Sequence, residues 1–251
     1  MSRVYIHEFV DVIGIERARY QHHMTANWCP EAGPLRRQRC FGVFSVVGST
    51  GRWPQVVNIW EYDSWDDLAH NFEVELVGSG HRDPMLEEWW TEAAKFRTGG
   101  EDRILVAHHD SPGIEQWCAR GGTGAVAYLH ETTRTSVGAA PLICDELVVA
   151  TAEQRRAQGL ELVGAFRVAM RADDEVLAIW AVPDWATWAR VEAATDAAAA
   201  ITPDPDPSAA GVSSAGPILS LERLLLVDAE LSPLRIGRQP IAADRRSLDE
   251  F

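Results

Sequence analysis

Tyr5-Ile6-His7-Glu8, close to the start of the chain, returns 123 residues later as Tyr128-Leu129-His130-Glu131. Working outward, Gly42-Val43-Phe44 returns as Gly164-Ala165-Phe166 at a spacing of 122. Ile59-Trp60 returns as Ile179-Trp180 and Trp65 as Trp185, both at 120, and the apolar run Ile104-Leu105-Val106 falls opposite Leu224-Leu225-Leu226 at the same spacing. Matches in one order, with a spacing that drifts by three residues, define an internal repeat.

Each copy reads as strand, helix, strand, strand, helix, strand. In the first, Val4–Val10 alternates like a strand and Ile15–Trp28 has helical spacing with Pro30 beyond its end. Phe41–Gly48 and Val56–Tyr62 are β-branched and aromatic, separated by Ser49-Thr50-Gly51 turn chemistry. Ser64 is an N-cap for a helix from Trp65, with Asp66 and Asp67 in its first turn. Pro84–Phe96 is a further helix and Ile104–His108 the closing strand. In the second copy the strands are Val126–Thr132, Leu160–Met170, Glu175–Val182 and Leu221–Ala229. The helices are Pro141–Gln158 and Trp185–Ala200.

A βαββαβ unit makes a four-stranded antiparallel sheet with both helices on one face. The bare face needs a second sheet, which a tandem pair supplies. The expected fold is therefore α+β: two tandem ferredoxin-like βαββαβ units, residues 1–112 and 121–230, forming an intrachain α+β barrel, followed by a C-terminal tail, 231–251. Thr202–Gly216 is rich in Pro, Asp, Ser, Ala and Gly and reads as a flexible loop. Gly121-Gly122-Thr123-Gly124 reads as the linker between units and not as a phosphate loop, because no helix follows and no Lys is in place.

A net charge of −14 argues against nucleic acid or an anionic membrane as partner. Charge interrupts every apolar run before 18 residues, so no membrane span is expected. The N-terminus enters a strand pattern at once, without a signal-peptide core, which points to the cytoplasm. Cys29, Cys40, Cys118 and Cys144 show no CxxC spacing, and free thiols are the expectation in a reducing compartment. Ten Trp suit a pocket for a flat, greasy ligand, but equally a core or an oligomer interface.

Asn58-Ile59-Trp60-Glu61-Tyr62-Asp63-Ser64-Trp65-Asp66-Asp67-Leu68-Ala69-His70 resembles the strand-to-helix segment of the dimeric α+β barrel superfamily, in particular NIPSNAP-like proteins and antibiotic-biosynthesis monooxygenases. His81-Arg82-Asp83-Pro84, with Trp89 and Trp90, is similar to the D-P-x-W element of NIPSNAP-like chains. The resemblance covers about residues 1–110 and, more weakly, the second copy, where Arg190 stands in the place of His70 and Ala181 in that of Glu61. It implies cofactor-free oxygenases, isomerases, cyclases or lyases of small hydrophobic molecules; haem proteins and members without known chemistry share the superfamily.

Candidate catalytic residues are His7, Tyr62, His70 and His130; candidate substrate-binding residues are Tyr5, Asn58, Trp60, Tyr128 and Trp180. Alternation puts Tyr5, His7 and Phe9 on one strand face and Ile6, Glu8 and Val10 on the other. A Tyr-x-His pair in each copy offers a base near neutral pH with a phenol to orient it; packed, hydrogen-bonded histidines are the bland alternative. Asn58, Trp60 and Tyr62 share a face that reads as a pocket wall for an aromatic substrate, with sheet–helix core as the equal alternative for Trp60 and Trp180. Glu8 and Glu131 are read first as salt-bridge partners of an Arg such as Arg17 or Arg167, and second as bases raised by burial. His22, His23, His70 and His81 could approach one another, but no metal or haem spacing is present, and His108-His109-Asp110 reads as an ordinary polar strand end. The expectation is no metal and no cofactor.

The favoured reading is a cofactor-independent enzyme acting on a hydrophobic aromatic or polycyclic small molecule by acid–base chemistry, as an isomerase, cyclase, lyase or monooxygenase. The active pocket is expected in the first copy, which has Asn58, Glu61, Tyr62 and His70 where the second has Ala178, Ala181, Val182 and Arg190. The alternatives are a non-catalytic small-molecule binding protein of the NIPSNAP kind and, behind it, a haem enzyme. The expected partners are the small-molecule substrate and, as a homodimer, a second copy of the chain.

Overall fold

The computed structural model describes residues 2–77, 81–201, 212–213 and 216–251. The first unit runs β1 (Val4–Val12), α1 (Arg17–His22), a π-helical turn (His23–Trp28), α2 (Cys29–Arg36), β2 (Arg39–Val46), β3 (Gln55–Tyr62), α3 (Trp65–Glu75), the two-residue strands β4 (Leu76–Val77) and β5 (His81–Arg82), α4 (Pro84–Ala93) and β6 (Arg97–Ala107). A short helix, α5 (Ile114–Ala119), follows. The second unit runs β7 (Ala127–Thr135), α6 (Ala140–Glu146), a second π turn (Leu147–Thr151), α7 (Ala152–Ala157), β8 (Glu161–Val168), β9 (Glu175–Val182), α8 (Trp185–Ile201), β10 (Val212–Ser213) and β11 (Gly216–Asp228), and the chain ends through α9 (Pro233–Ile236).

The hydrogen-bonded strand order is β10-β11-β2-β3-β1-β6-β8-β9-β7, and β11 also pairs with β7. The ladder therefore closes as the expected α+β barrel of eight strands, with β10 hung on the start of β11. Two compact units result: residues 1–105, 112–124 and 226–251 form one, and 106–111 and 125–225 the other.

The two units match residue by residue in their ladders. Ile6 faces Trp60, His7 faces Ile59 and Glu8 faces Asn58 across β1 and β3. Leu129 faces Trp180, His130 faces Ile179 and Glu131 faces Ala178 across β7 and β9. Trp60 and Trp180 thus hold the same place. Both units also carry a β-bulge, between Cys40 and Gly42 and between Leu162 and Gly164. At each bulge the ring of the phenylalanine two residues on, Phe44 or Phe166, lies against the glycine, where a Cβ would overlap it.

Two expectations need correction. The first helix does not stop before Pro30: the chain stays helical to Arg36. Pro30 falls in the first turn of α2, where its missing N–H is not needed, and Arg37, at φ 52°, ends the helix. The closing strand of the first unit starts at Arg97, not Ile104, because Gly100 lets the polar stretch approach the Phe9 carbonyl at a distance no Cβ would allow. The tail is anchored in the first unit. Leu234 is fully buried, and the Gln239 side-chain amide pairs with both backbone groups of Cys40, at 3.0 and 2.8 Å. Of the expected loop Thr202–Gly216, residues 202–211 and 214–215 lie outside the described residues. Among the described residues, no helix is long and apolar enough to cross a membrane.

Gly42→Ala and Gly164→Ala are each expected to lower stability by about 1–3 kcal/mol, because the buried ring above each glycine must leave its rotamer. Urea unfolding of the two variants measures it, and similar losses are expected because the two sites share one geometry.

Candidate functional site

The first unit holds a half-open cavity of about 250 Å³. Its sheet wall is Ile6 and Glu8 on β1, Trp60 and Tyr62 on β3, and Arg97, Asp102 and Ile104 on β6. The helices facing it supply Met24 and Trp28 from the π turn, Phe72 from α3, and Leu86, Trp89 and Trp90 from α4. Four indoles therefore border it, as a site for a flat apolar ligand requires.

Arg36, at the end of α2, holds the helical wall together. Its guanidinium is 2% exposed and donates to Asn71 Oδ1 on α3 at 3.1 Å and to Asp83 Oδ2 at 3.3 Å. Glu75 stands 3.6 Å away, and the Trp28 ring lies 5.2 Å from the guanidinium carbon. Asp83 is also the N-cap of α4, accepting from the Met85 N–H. His23 stacks flat on Trp89 at 4.9 Å, donates from Nε2 to the Trp89 carbonyl and accepts at Nδ1 from Asn27. It is thus a neutral prop behind the aromatic wall, and burial holds its pKa below the usual histidine value.

Glu8 is the polar floor of the cavity. Its Oε2 accepts from Asn58 Nδ2 at 2.8 Å and from the Trp60 indole N–H at 3.0 Å. Both donors are neutral. Enclosure by protein, and then the neighbouring Asp102 carboxylate, push the Glu8 pKa up to about 7; the two hydrogen bonds and the Arg97 charge offset this only in part. Burial raises Asp102 as well. Arg97 stacks on Trp90 with its guanidinium carbon 3.5 Å from the ring centroid. Its Nε is buried and unpartnered among the described residues, as is Asn58 Oδ1. Such atoms in a native fold ask for a ligand or water.

The second unit keeps the carboxylate–indole pair and neutralises it. Trp180 Nε1 donates to Glu131 Oε2 at 2.7 Å, but Arg155 also donates to Glu131 Oε1 at 2.8 Å, and Ala178 replaces the asparagine.

The register sorts the sequence-derived candidates. Trp60 and Tyr62 line the cavity and Asn58 bonds its floor; Tyr62 donates to Gln38 Oε1 at 3.3 Å, and burial raises its phenol. His7 pairs across the ladder with Ile59, so it lies on the face opposite Asn58 and Tyr62 and cannot work with them. It is fully buried, packs edge-on against Phe9 and accepts from Arg103 Nε at 3.4 Å. Tyr5 shares that opposite face and donates to Glu61 Oε2 at 2.7 Å; Glu61 also accepts from the Ile114 N–H at the start of α5 and from Arg39. Tyr128, His130 and Trp180 are buried. His70 donates to the Leu35 carbonyl, tying α3 to α2. His22 accepts from the Arg246 backbone N–H. The side chain of His81 lies outside the described residues. Among the described residues that line the cavity there is no imidazole and no thiol.

Sequence reasoning gives Glu8 a salt bridge first and does not single out Arg97, both of which border the cavity. A usable signal existed: Glu8 and Trp60 recur together as Glu131 and Trp180, whereas Asn58 does not recur.

No family model and no curated protein matches the chain. Among solved structures, an anthrone oxidase-like protein superposes with a TM-score of 0.54 at 13% identity, over 96% of both chains. A candidate monooxygenase from Lactobacillus acidophilus NCFM gives 0.53 at 8% identity, over 96% of this chain and 97% of that one. A NIPSNAP-like domain protein from Burkholderia xenovorans covers 44% of this chain and 89% of its own, at 19% identity and a TM-score of 0.34. The chain has the ferredoxin-like α+β barrel fold, and at these identities the likeness speaks for the fold alone.

Glu8 makes stability depend on pH. It titrates near 7 in the fold against 4.5 for the ordinary carboxyl, so between these values the unfolded chain releases its proton first. Stability from the neutral, buried carboxyl is fully present below 4.5 and is lost as pH rises through 7. Glu8→Gln keeps an acceptor for Asn58 and Trp60 without the charge. It is expected to be more stable than the parent by about 3 kcal/mol near pH 8 and equal to it near pH 4. Denaturant unfolding at the two pH values checks the difference.

Proposed function

We propose that the first unit is the active centre of a cofactor-independent enzyme that acts on a hydrophobic aromatic or polycyclic small molecule by acid–base chemistry, with Glu8 as proton carrier. One observation carries this reading: a buried carboxyl, held by two neutral donors and poised at about 7, forms the floor of an indole-walled cavity. A base near the working pH is what proton transfer from carbon or phenol requires.

Glu8 takes a proton from a carbon or hydroxyl acidified by the aromatic system. The electron pair left behind delocalises into the ring, and the Arg97 guanidinium stands over Trp90 where a developing oxyanion can meet its unpartnered Nε. Return of the proton to another atom gives isomerisation, loss of a leaving group gives elimination, and attack by dioxygen gives oxygenation. Asn58 and Trp60 fix the carboxyl, and Tyr62 closes the sheet wall. The second unit, with Glu131 bound to Arg155, is read as the structural partner left by a tandem duplication.

Anthrone, the tricyclic carbon acid in the name of one similar structure, is the first substrate to try. Glu8→Gln is expected to lower turnover by about 10²-fold or more, with Glu131→Gln folded and close to the parent. Turnover of the parent should rise with pH through about 7. Unchanged turnover in Glu8→Gln overturns the assignment. Saturable quenching of Trp fluorescence without turnover supports the non-catalytic binding reading instead.

A further inference from the structure

The end of β6 carries a feature that the acid–base reading does not use. Val106–Ser111 belongs to the second unit, and there His108, His109 and Asp110 bring two imidazoles and a carboxylate together, with one donor atom from each within 4.8 Å of the others. His109 Nε2 is 3.3 Å from Asp110 Oδ2, His108 Nδ1 is 3.9 Å from the same oxygen, and the two rings lie 4.1 Å apart. Donors bound to one zinc ion at about 2.0–2.2 Å stand roughly 3–3.5 Å from each other. Exposed side chains can close the remaining gap by rotation, and His109 and Asp110 are 77% and 60% exposed.

Two further observations separate this from a chance polar turn. The backbone is fixed: the His108 N–H donates to the Ala165 carbonyl at 2.9 Å, and the Ser111 N–H closes the turn onto the His108 carbonyl at 3.0 Å. The buried Ser111 hydroxyl donates to the Ala165 carbonyl and accepts from the Ala165 N–H. The His108 ring is also oriented, because its Nε2 lies 3.0 Å from Asp145 Oδ1 on α6 and must donate there. Nδ1 then carries the lone pair on the His109 and Asp110 side, where it accepts a hydrogen bond from the Asp110 backbone N–H at 3.2 Å that a metal ion displaces. A carboxylate behind the far nitrogen of a ligating histidine is the common outer-sphere arrangement of metal sites.

We propose that His108, His109 and Asp110 bind a divalent transition-metal ion of the zinc class, with Asp145 orienting His108 from the second sphere. Two imidazoles and one carboxylate suit zinc, nickel or copper, not magnesium or calcium. Water fills the open positions, and the ion ties the end of β6 to the turn that docks on β8.

The test is calorimetric titration of the metal-free full chain with zinc chloride, paired with thermal melts. One saturable equivalent and a raised melting temperature are expected. His109→Ala and Asp110→Asn, both at exposed positions, should each weaken zinc by about 10-fold or more, and Asp145→Asn by about 10-fold though it removes no ligand. Absence of saturable binding overturns the proposal, and so does binding that His109→Ala and Asp110→Asn leave unchanged. Loss in those two with no change in Asp145→Asn removes the orienting role given to Asp145.

Discussion

The cavity exists because one buried guanidinium has three helical elements to answer to. Arg36 links the end of α2 to Asn71 and Glu75 on α3 and to the carboxylate that caps α4. A charge so deeply buried is tolerated only while its partners stay in place; removing one typically costs 3–5 kcal/mol. The helices are therefore held at fixed separations from one another by polar contacts at one end. The aromatic side chains between them do not need to collapse to stabilise the layer, and Trp28, Trp89 and Trp90 can border a space. A purely apolar contact between the same helices would close it.

Much of the fold was legible in the chain itself. The repeat of Tyr5–Glu8 at 128–131 and of Ile59-Trp60 at 179–180 depends on strand patterning, which survives where individual polar residues change. Ser64 capped its helix as its side-chain chemistry demands. What was not legible follows from longer-range geometry. Pro30 normally marks a helix end, but a π turn before it resets the hydrogen-bonding frame. The stretch Arg97–Arg103 is too polar and glycine-rich to read as a strand, and β1 beside it supplies pairing that the sequence does not show.

The candidate site shows the same limit more sharply. Alternation assigns faces within one strand, but only register says which face of one strand meets which face of the next. Alternation alone does not show that Glu8 stands across from Asn58, or that His7 stands across from Ile59. Nor does sequence announce which carboxylate an arginine will reach. Glu8 and Glu131 look alike in the chain, and they differ because Arg155 reaches one of them.

That difference makes the chain its own control for local frustration. Two equivalent carboxylates sit on equivalent strands beside equivalent indoles, within one polypeptide and under one set of conditions. In the second unit an arginine pairs with the charge. In the first, the Asp102 carboxylate opposes it, and two neutral donors and the Arg97 charge offset the cost of burial only in part. Conflicts of this kind are a signature of positions held for something other than folding.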